Sequence, residues 1–275
     1  MTTQQPSSDT TTLTNVHDMV IVHRAFRREL AVIPRLVRAV PAGDTRRAAV
    51  VARHARLVLQ GLHLHHTGED ELLWPKLLER DTPDAELVYR MEGQHHVVEE
   101  LVDRLGPALT RWEAEARPAV SEEVASTFDR LRIALLEHLD DEEAHILPIA
   151  ARTITQAEWD ELGEHGTSQM SASQLPLMFG MVLEDATPEE REAMIAILPA
   201  PVRLLMRTYG AWRYRRYVSS VRGGPDPVRP CGQLSRGEVP TALPGRLEGH
   251  LAESGPHRGE RLLRESEVRR EGDDQ

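Results

Sequence analysis

A single cysteine, Cys231, in 275 residues leaves the chain without an intrachain disulfide. It also excludes the multi-thiolate sites that hold structural zinc or iron–sulfur clusters. Aromatic residues make up only 4%, and the alternating β-branched runs that signal sheet are scarce. No run of about 18 apolar residues is present to span a bilayer. The opening MTTQQPSSDTTT has neither the basic start nor the apolar centre of a secretion signal. Positive charge is short as well. The 33 Lys and Arg stand against 44 Asp and Glu, a net charge of −11, so a phosphate-tracking role would require a local basic patch. The one candidate, Arg213 to Arg216 within AWRYRRY (211–217), spans a single helical turn. It is expected to pack back on the molecule or on a partner chain. The expectation is a cytoplasmic protein with no nucleic-acid and no membrane partner.

What the chain has in abundance is Ala, Leu, Arg and Glu, a helix-forming mixture. Four long helical patterns run over about 13–40, 45–74, 84–116 and 119–147, separated by PAGD (41–44), RDTPD (80–84) and a break near Pro118. Short connections between long amphipathic helices favour antiparallel neighbours. The expected fold is therefore all-α, an antiparallel up-down four-helix bundle over 13–152. A smaller helical section follows over 153–221, where Thr155 with Glu158 and Thr187 with Glu190 have capping-box spacing and Pro188 suits a first helical position. Residues 1–12 and the Gly/Pro/Arg/Glu-rich 222–275 are expected to be disordered.

Thirteen histidines are present, and the apolar spacing decides which of them face inward. The first helix carries Val16, Met19, His23, Phe26, Leu30, Ile33, Val37 and Val40 in steps of three and four, with His23 inside the seam. Pro34 interrupts its hydrogen-bond ladder. The second carries Val51, Ala55, Val58, Leu62, His65, Glu69 and Leu72. Its alternative register through His66 recruits Arg56, His63 and Asp70, so His65 is preferred. The third carries Val88, Met91, His95, Val98, Val102, Leu105, Leu109 and Trp112, whereas a register through His96 would bury Glu92, Glu99 and Asp103. The fourth carries Val124, Phe128, Leu131, Leu135, His138, Glu142, His145 and Ile149. His66, His96, His17 and His63 are expected to be solvated or to stand behind the inner set. Glu92 is expected at the surface, and His145 at a partly wet bundle end.

The pattern repeats. His65, Glu69 and Pro75 match His138, Glu142 and Pro148 at offsets of four and ten. Two helical hairpins thus aim similar sets at a common centre. Four imidazoles and two carboxylates on apolar stripes would destabilise an empty bundle, because buried ionised groups are very costly without partners. Metal ions reverse that sign, since imidazole suits iron, copper, nickel and zinc while a carboxylate can bridge two cations. The candidate ligands are His23, His65, Glu69, His95, His138 and Glu142. Ferritin-like di-iron bundles use Glu-x-x-His instead, so this site is richer in nitrogen.

HRAF (23–26), HHTGEDELLWP (65–75), EGQHH (92–96) and HLDDEEAHILP (138–148) together resemble the hemerythrin family in its broad HHE cation-binding form. The resemblance covers about residues 13–150. It implies two iron ions, oxo- or hydroxo-bridged, with zinc or manganese as the other metals such a site takes. It further implies that the iron pair binds or senses dioxygen or nitric oxide, or handles peroxide. Two departures stand out. Met91 occupies the place of a second third-helix histidine, and Glu142 follows His138 by four residues where oxygen carriers have an aspartate at five. One fewer nitrogen would leave both irons open and favour peroxide or nitric oxide chemistry over simple oxygen carriage. The competing functions are a peroxide-decomposing di-iron enzyme and a metal-free helical interaction module. EW (158–159), ILP (197–199) and YG (209–210) make the last section similar to a helical extension of actinobacterial hemerythrin-like proteins, a surface for a protein partner or self-association.

Overall fold

The computed structural model describes residues 13–80 and 85–223. The disorder expected over 1–12, most of the tail from 222, Cys231 and most of the RDTPD break lie outside the described residues.

The bundle is built from α1 (His17–Arg38), α2 (Thr45–Gly68), α4 (Ala85–Glu115) and α5 (Pro118–Asp141). Asp44 caps α2 by accepting the Arg47 backbone N–H at 2.9 Å, satisfying one of the donors a helix start leaves open. Pro118 takes the first position of α5, where its missing N–H costs nothing. Between α4 and α5 the chain reverses through Ala116, which has φ of 46° and turns its N–H back to Trp112. α1 lies against α5, α2 against α4, and α4 against α5. Pro34 sits within α1, which continues to Arg38.

The second helix of each hairpin does not stay α-helical past its inward glutamate. A π-helical turn occupies Glu69–Leu73 before α3 (Trp74–Glu79), and a second occupies Glu142–Ile146 before α6 (Leu147–Thr153). Each turn is closed by a bond spanning five residues, from the Trp74 N–H to Glu69 O and from the Leu147 N–H to Glu142 O. A proline follows each, Pro75 and Pro148. Its ring would strike the carbonyl four residues back in a tight α-helix, and widening the turn relieves that clash.

The wide turns change which side chains are buried. The spacing places Leu72 and His145 inward. The structure instead buries Leu73 and Leu77 after the first turn, and Ile146, Leu147 and Ala150 after the second. Leu72 is half-buried and His145 exposed. One extra residue per turn accounts for Leu72 leaving the inner face, while the exposed His145 agrees with its expected place at a wet bundle end.

Residues 153–223 continue as α7 (Gln156–Ser168), α8 (Leu175–Val182), α9 (Pro188–Ala196), α10 (Ala200–Leu205), a π turn (Met206–Gly210) and α11 (Ala211–Arg222). Both capping boxes form, Thr155 with Glu158 and Thr187 with Glu190, and Pro188 opens α9. α7, α8 and α11 pack on α2, and α8 and α9 on α1. Trp159 of α7 donates to Asp18 of α1 at 2.9 Å. All of these described helices lie within one compact unit. No described helix is long and apolar enough to cross a membrane.

Candidate metal centre

Two apolar clusters fill the bundle, and a polar layer separates them. Along α1 the order is Met19, His23, Phe26. Along α2 it is Leu62, then His65, His66 and Glu69, then Leu73. Along α4 it is Met91, His95, Val98, and along α5 Leu135, His138, Glu142, Ile146. Because the helices alternate in direction, the four polar positions fall at one level.

The six candidates all converge there. His23, Glu69, His138 and Glu142 are fully buried, His95 is nearly so, and the His65 side chain is 9% exposed. Within each hairpin the two imidazoles meet through Nε2, His23 with His65 and His95 with His138, both pairs at 3.2 Å. The carboxylates tie the pairs together. Glu69 lies 3.2 Å from His65 Nε2 and 3.3 Å from His95 Nε2. Glu142 lies 3.2 Å from His23 Nε2 and 3.7 Å from His138 Nε2.

His66 belongs with them, and here the expectation of a solvated or more distant role is corrected. Its ring is buried and stacks on His95, with centroids 4.0 Å apart and planes 9° off parallel. At about 100° per residue, Glu69 falls about 40° from His65 and about 60° from His66 around the axis. A single register on α2 therefore does not separate the two histidines, because one glutamate shares a face with both neighbours. The matching position in the second hairpin is Leu139, so the internal duplication breaks at this residue. His17, His63 and His96 are exposed, as is Glu92.

Donor atoms of His23, His65, Glu69 and Glu142 lie within 4.8 Å of one another, as do those of His66, Glu69, His95 and His138. The outer nitrogens are already committed. His23 Nδ1 donates to Glu143 at 2.8 Å, His95 Nδ1 to Asp70 at 2.7 Å and His138 Nδ1 to Gln94 at 3.3 Å. Those acceptors are themselves held, Asp70 by the Trp74 indole N–H at 2.9 Å and Glu143 by Arg27. Spending Nδ1–H outward leaves an Nε2 lone pair aimed at the centre, the arrangement found behind metal-ligating histidines.

Such a centre is unfavourable without a cation. Neither oxygen of Glu69 or Glu142 has a hydrogen-bond partner, and neither does His66 Nε2. The electrostatics say the same. Burial drives the His23 and His95 imidazoles down, but the adjoining carboxylates (Glu142 and Glu143, Asp70 and Glu69) outweigh it and push both up to about 9. Burial and the neighbouring Glu142 push Glu69 up to about 7. Burial opposes ionisation of Glu142 too, yet His23 holds it down near 2. Burial and nearby imidazoles keep His65 and His66 well below their ordinary range, so both are neutral and able to donate a lone pair. The buried carboxylates call for positive charge that the side chains alone supply incompletely. Orphaned oxygens and inward lone pairs are a donor set that fits metal ions.

Residues 14–150 match the hemerythrin HHE cation binding domain. Through them, the chain belongs to the hemerythrin family. No curated protein and no solved structure matches the chain. The hemerythrin domain carries a cation-binding role by family, and its His/Glu layer is where a metal would be held.

Proposed function

We propose that this hemerythrin domain holds two iron ions, and that the pair binds or senses dioxygen or nitric oxide, or handles peroxide. The observation that carries the reading is the set of four carboxylate oxygens of Glu69 and Glu142 and the Nε2 of His66, all buried and without a hydrogen-bond partner. A metal-free interaction module would have to keep these atoms buried at full desolvation cost, about 1–3 kcal/mol for each polar group.

His23 and His65 would serve one ion, and His66, His95 and His138 the other, with Glu69 and Glu142 shared between them. A bound ferrous pair supplies open coordination positions and electrons for a small oxidant. The chain's own residues do the rest. Asp70, Glu143 and Gln94 hold three imidazoles in the tautomer that faces Nε2 inward. The apolar layers on either side, Met91 and Leu73 on one and Phe26 and Leu62 on the other, exclude bulk water.

His66 also changes the count of donors. It supplies the nitrogen missing at Met91, so the two positions are unequal rather than both lean. The His23/His65 position has fewer nitrogens and is the one left for an exogenous ligand.

Metal analysis together with an optical spectrum of the aerobically purified protein tests the proposal. The expected result is two irons per chain with near-ultraviolet oxo-bridge absorption, both lost in Glu69→Ala with helicity retained. Iron near zero in the anaerobically reconstituted wild-type chain would refute it. Steady oxygen evolution from peroxide, abolished in His138→Ala, would place the activity among peroxide-decomposing enzymes.

A further inference from the structure

The helical run Ala200–Arg222 has two faces of opposite character. Gly210, Tyr214 and Val221 are buried inward, at steps of four and seven, and Tyr214 donates to Glu184 at 2.5 Å. Outward, Leu205, Tyr209, Trp212 and Arg216 follow one another across the π turn Met206–Gly210, and all four are exposed. Leu205, Tyr209 and Trp212 are 52%, 44% and 50% exposed, and Leu204 beside them 65%. α10 has no buried residue at all. Among the described residues, six of the eleven large hydrophobics that stand exposed fall between Ile197 and Trp212. An apolar concentration of this kind marks an interaction surface.

Charge identifies the occupant. In a chain of net charge −11, residues 193–222 contain six arginines and no aspartate or glutamate. Arg222 is turned inward to Glu29 and Glu184, and Arg207 pairs with Glu192. Arg215 and Arg216 are exposed on the outer side, Arg216 lying over the Trp212 ring at 5.6 Å. Arg203 and Arg215 form no ion pair among the described residues. We propose that this outer face is a docking surface for an anionic lipid bilayer, with Leu204, Leu205, Tyr209 and Trp212 entering the headgroup boundary and the arginines meeting lipid phosphates.

An amphipathic helix with aliphatic and aromatic residues on one side and arginines beside them is built to lie in that plane. The aromatic pair Tyr209 and Trp212, rings 5.9 Å apart, suits the wet, half-apolar headgroup level. A single-stranded nucleic acid would use the arginines and the rings, but Ile197, Val202, Leu204 and Leu205 offer bases nothing to stack on. A second copy docked through the same face would set two arginine-rich surfaces against each other, a like-charge juxtaposition that costs binding. The acidic remainder of the molecule does not cancel the attraction, because fields are screened within about 8 Å at physiological salt. This surface is independent of the metal centre. It amends the expectation of no membrane partner for peripheral contact only, since no described helix spans a bilayer.

Flotation of the full chain with vesicles tests it, comparing phosphatidylcholine mixed with phosphatidylglycerol against phosphatidylcholine alone. Trp212 provides a local readout, because Trp74, Trp112 and Trp159 are all buried. The expected result is flotation with the anionic vesicles only, with loss of iodide quenching of the exposed tryptophan. The triple variant Leu204→Ser/Leu205→Ser/Trp212→Ser should lower partitioning by at least about tenfold, the factor for each 1.4 kcal/mol. Arg215→Glu/Arg216→Glu should do so with Trp212 in place. The substituted side chains are exposed, so circular dichroism should be unchanged. No flotation with either vesicle, or flotation unaffected by both variants, overturns the proposal. So does tighter binding to a short single-stranded oligonucleotide, or self-association that the triple variant abolishes.

Discussion

At the scale of single residues, the centre is decided by where each nitrogen points. His66 differs from its counterpart Leu139 in one respect that matters, a donor atom within reach of Glu69, His95 and His138. Replacing it by the residue the second hairpin uses is therefore a clean experiment. His66→Leu keeps the site packed and leaves His23, His65 and Glu142 untouched. Metal analysis is expected to show occupancy falling from two ions per chain toward one, with at least about tenfold weaker binding at the depleted position. Unchanged occupancy at limiting iron would show that His66 is only a packing residue. The sequence made the other six residues visible because each lay on an unbroken three-four seam. It hid His66 because assigning a helix one seam forces a choice between neighbours, while a glutamate three and four residues on faces both.

At the scale of elements, the four long bundle helices were legible from periodicity, and capping boxes marked the starts of α7 and α9. The π turns were not. Leu72 and His145 continue the three-four pattern perfectly, and only Pro75 and Pro148 hint that the helix must widen before them. Such turns arise by one extra residue and gather at functional sites. Deleting Glu71, exposed within the first turn, restores a three-residue step from Glu69 to Leu73 and keeps the buried set downstream in phase. The deletion brings the Pro75 ring back against the carbonyl four residues before it, so it is expected to destabilise the fold by about 3 kcal/mol, the cost of a proline inside an α-helix, while leaving the chain helical at 25 °C. It should also cost metal, because rewinding the turn re-aims Glu69 and moves Asp70 away from His95. A variant that is destabilised yet loads fully would show that the wide turn serves proline accommodation alone.

At the scale of the whole molecule, a second buried polar group joins the extension to the bundle. Glu29 of α1, fully buried, lies 3.0 Å from His54 of α2 and 3.0 Å from Arg222 of α11, with Arg28 at 2.8 Å. Tyr217 hydrogen-bonds the other His54 nitrogen at 3.0 Å. No helical pattern could announce this, since Glu29 and Arg222 lie nearly the whole described chain apart and α1 already has an apolar seam. Burial raises the Glu29 carboxyl, but the His54 bond and the charges of His54, Arg28 and Arg222 outweigh it and hold it near 2 against an ordinary 4.5. A carboxyl depressed in the fold stabilises above its unfolded value and loses that contribution as pH falls toward the folded one. The stability gap between the wild-type chain and Glu29→Gln, about 3 kcal/mol at pH 7 from that difference, should be constant down to about pH 5. It should then close as the medium approaches pH 2. Urea melts across that range check it, and a gap independent of pH would remove Glu29 from the account.

The bonds from His23 to Glu143 and from His95 to Asp70 run crosswise, each imidazole borrowing its acceptor from the opposite hairpin. Neither half of the bundle therefore readies all of its own nitrogens, although Gln94 serves His138 from within the same hairpin. Correct aim is a property of the closed molecule, acquired only after both halves have met, so a nascent or partly unravelled chain offers a cation no complete cradle.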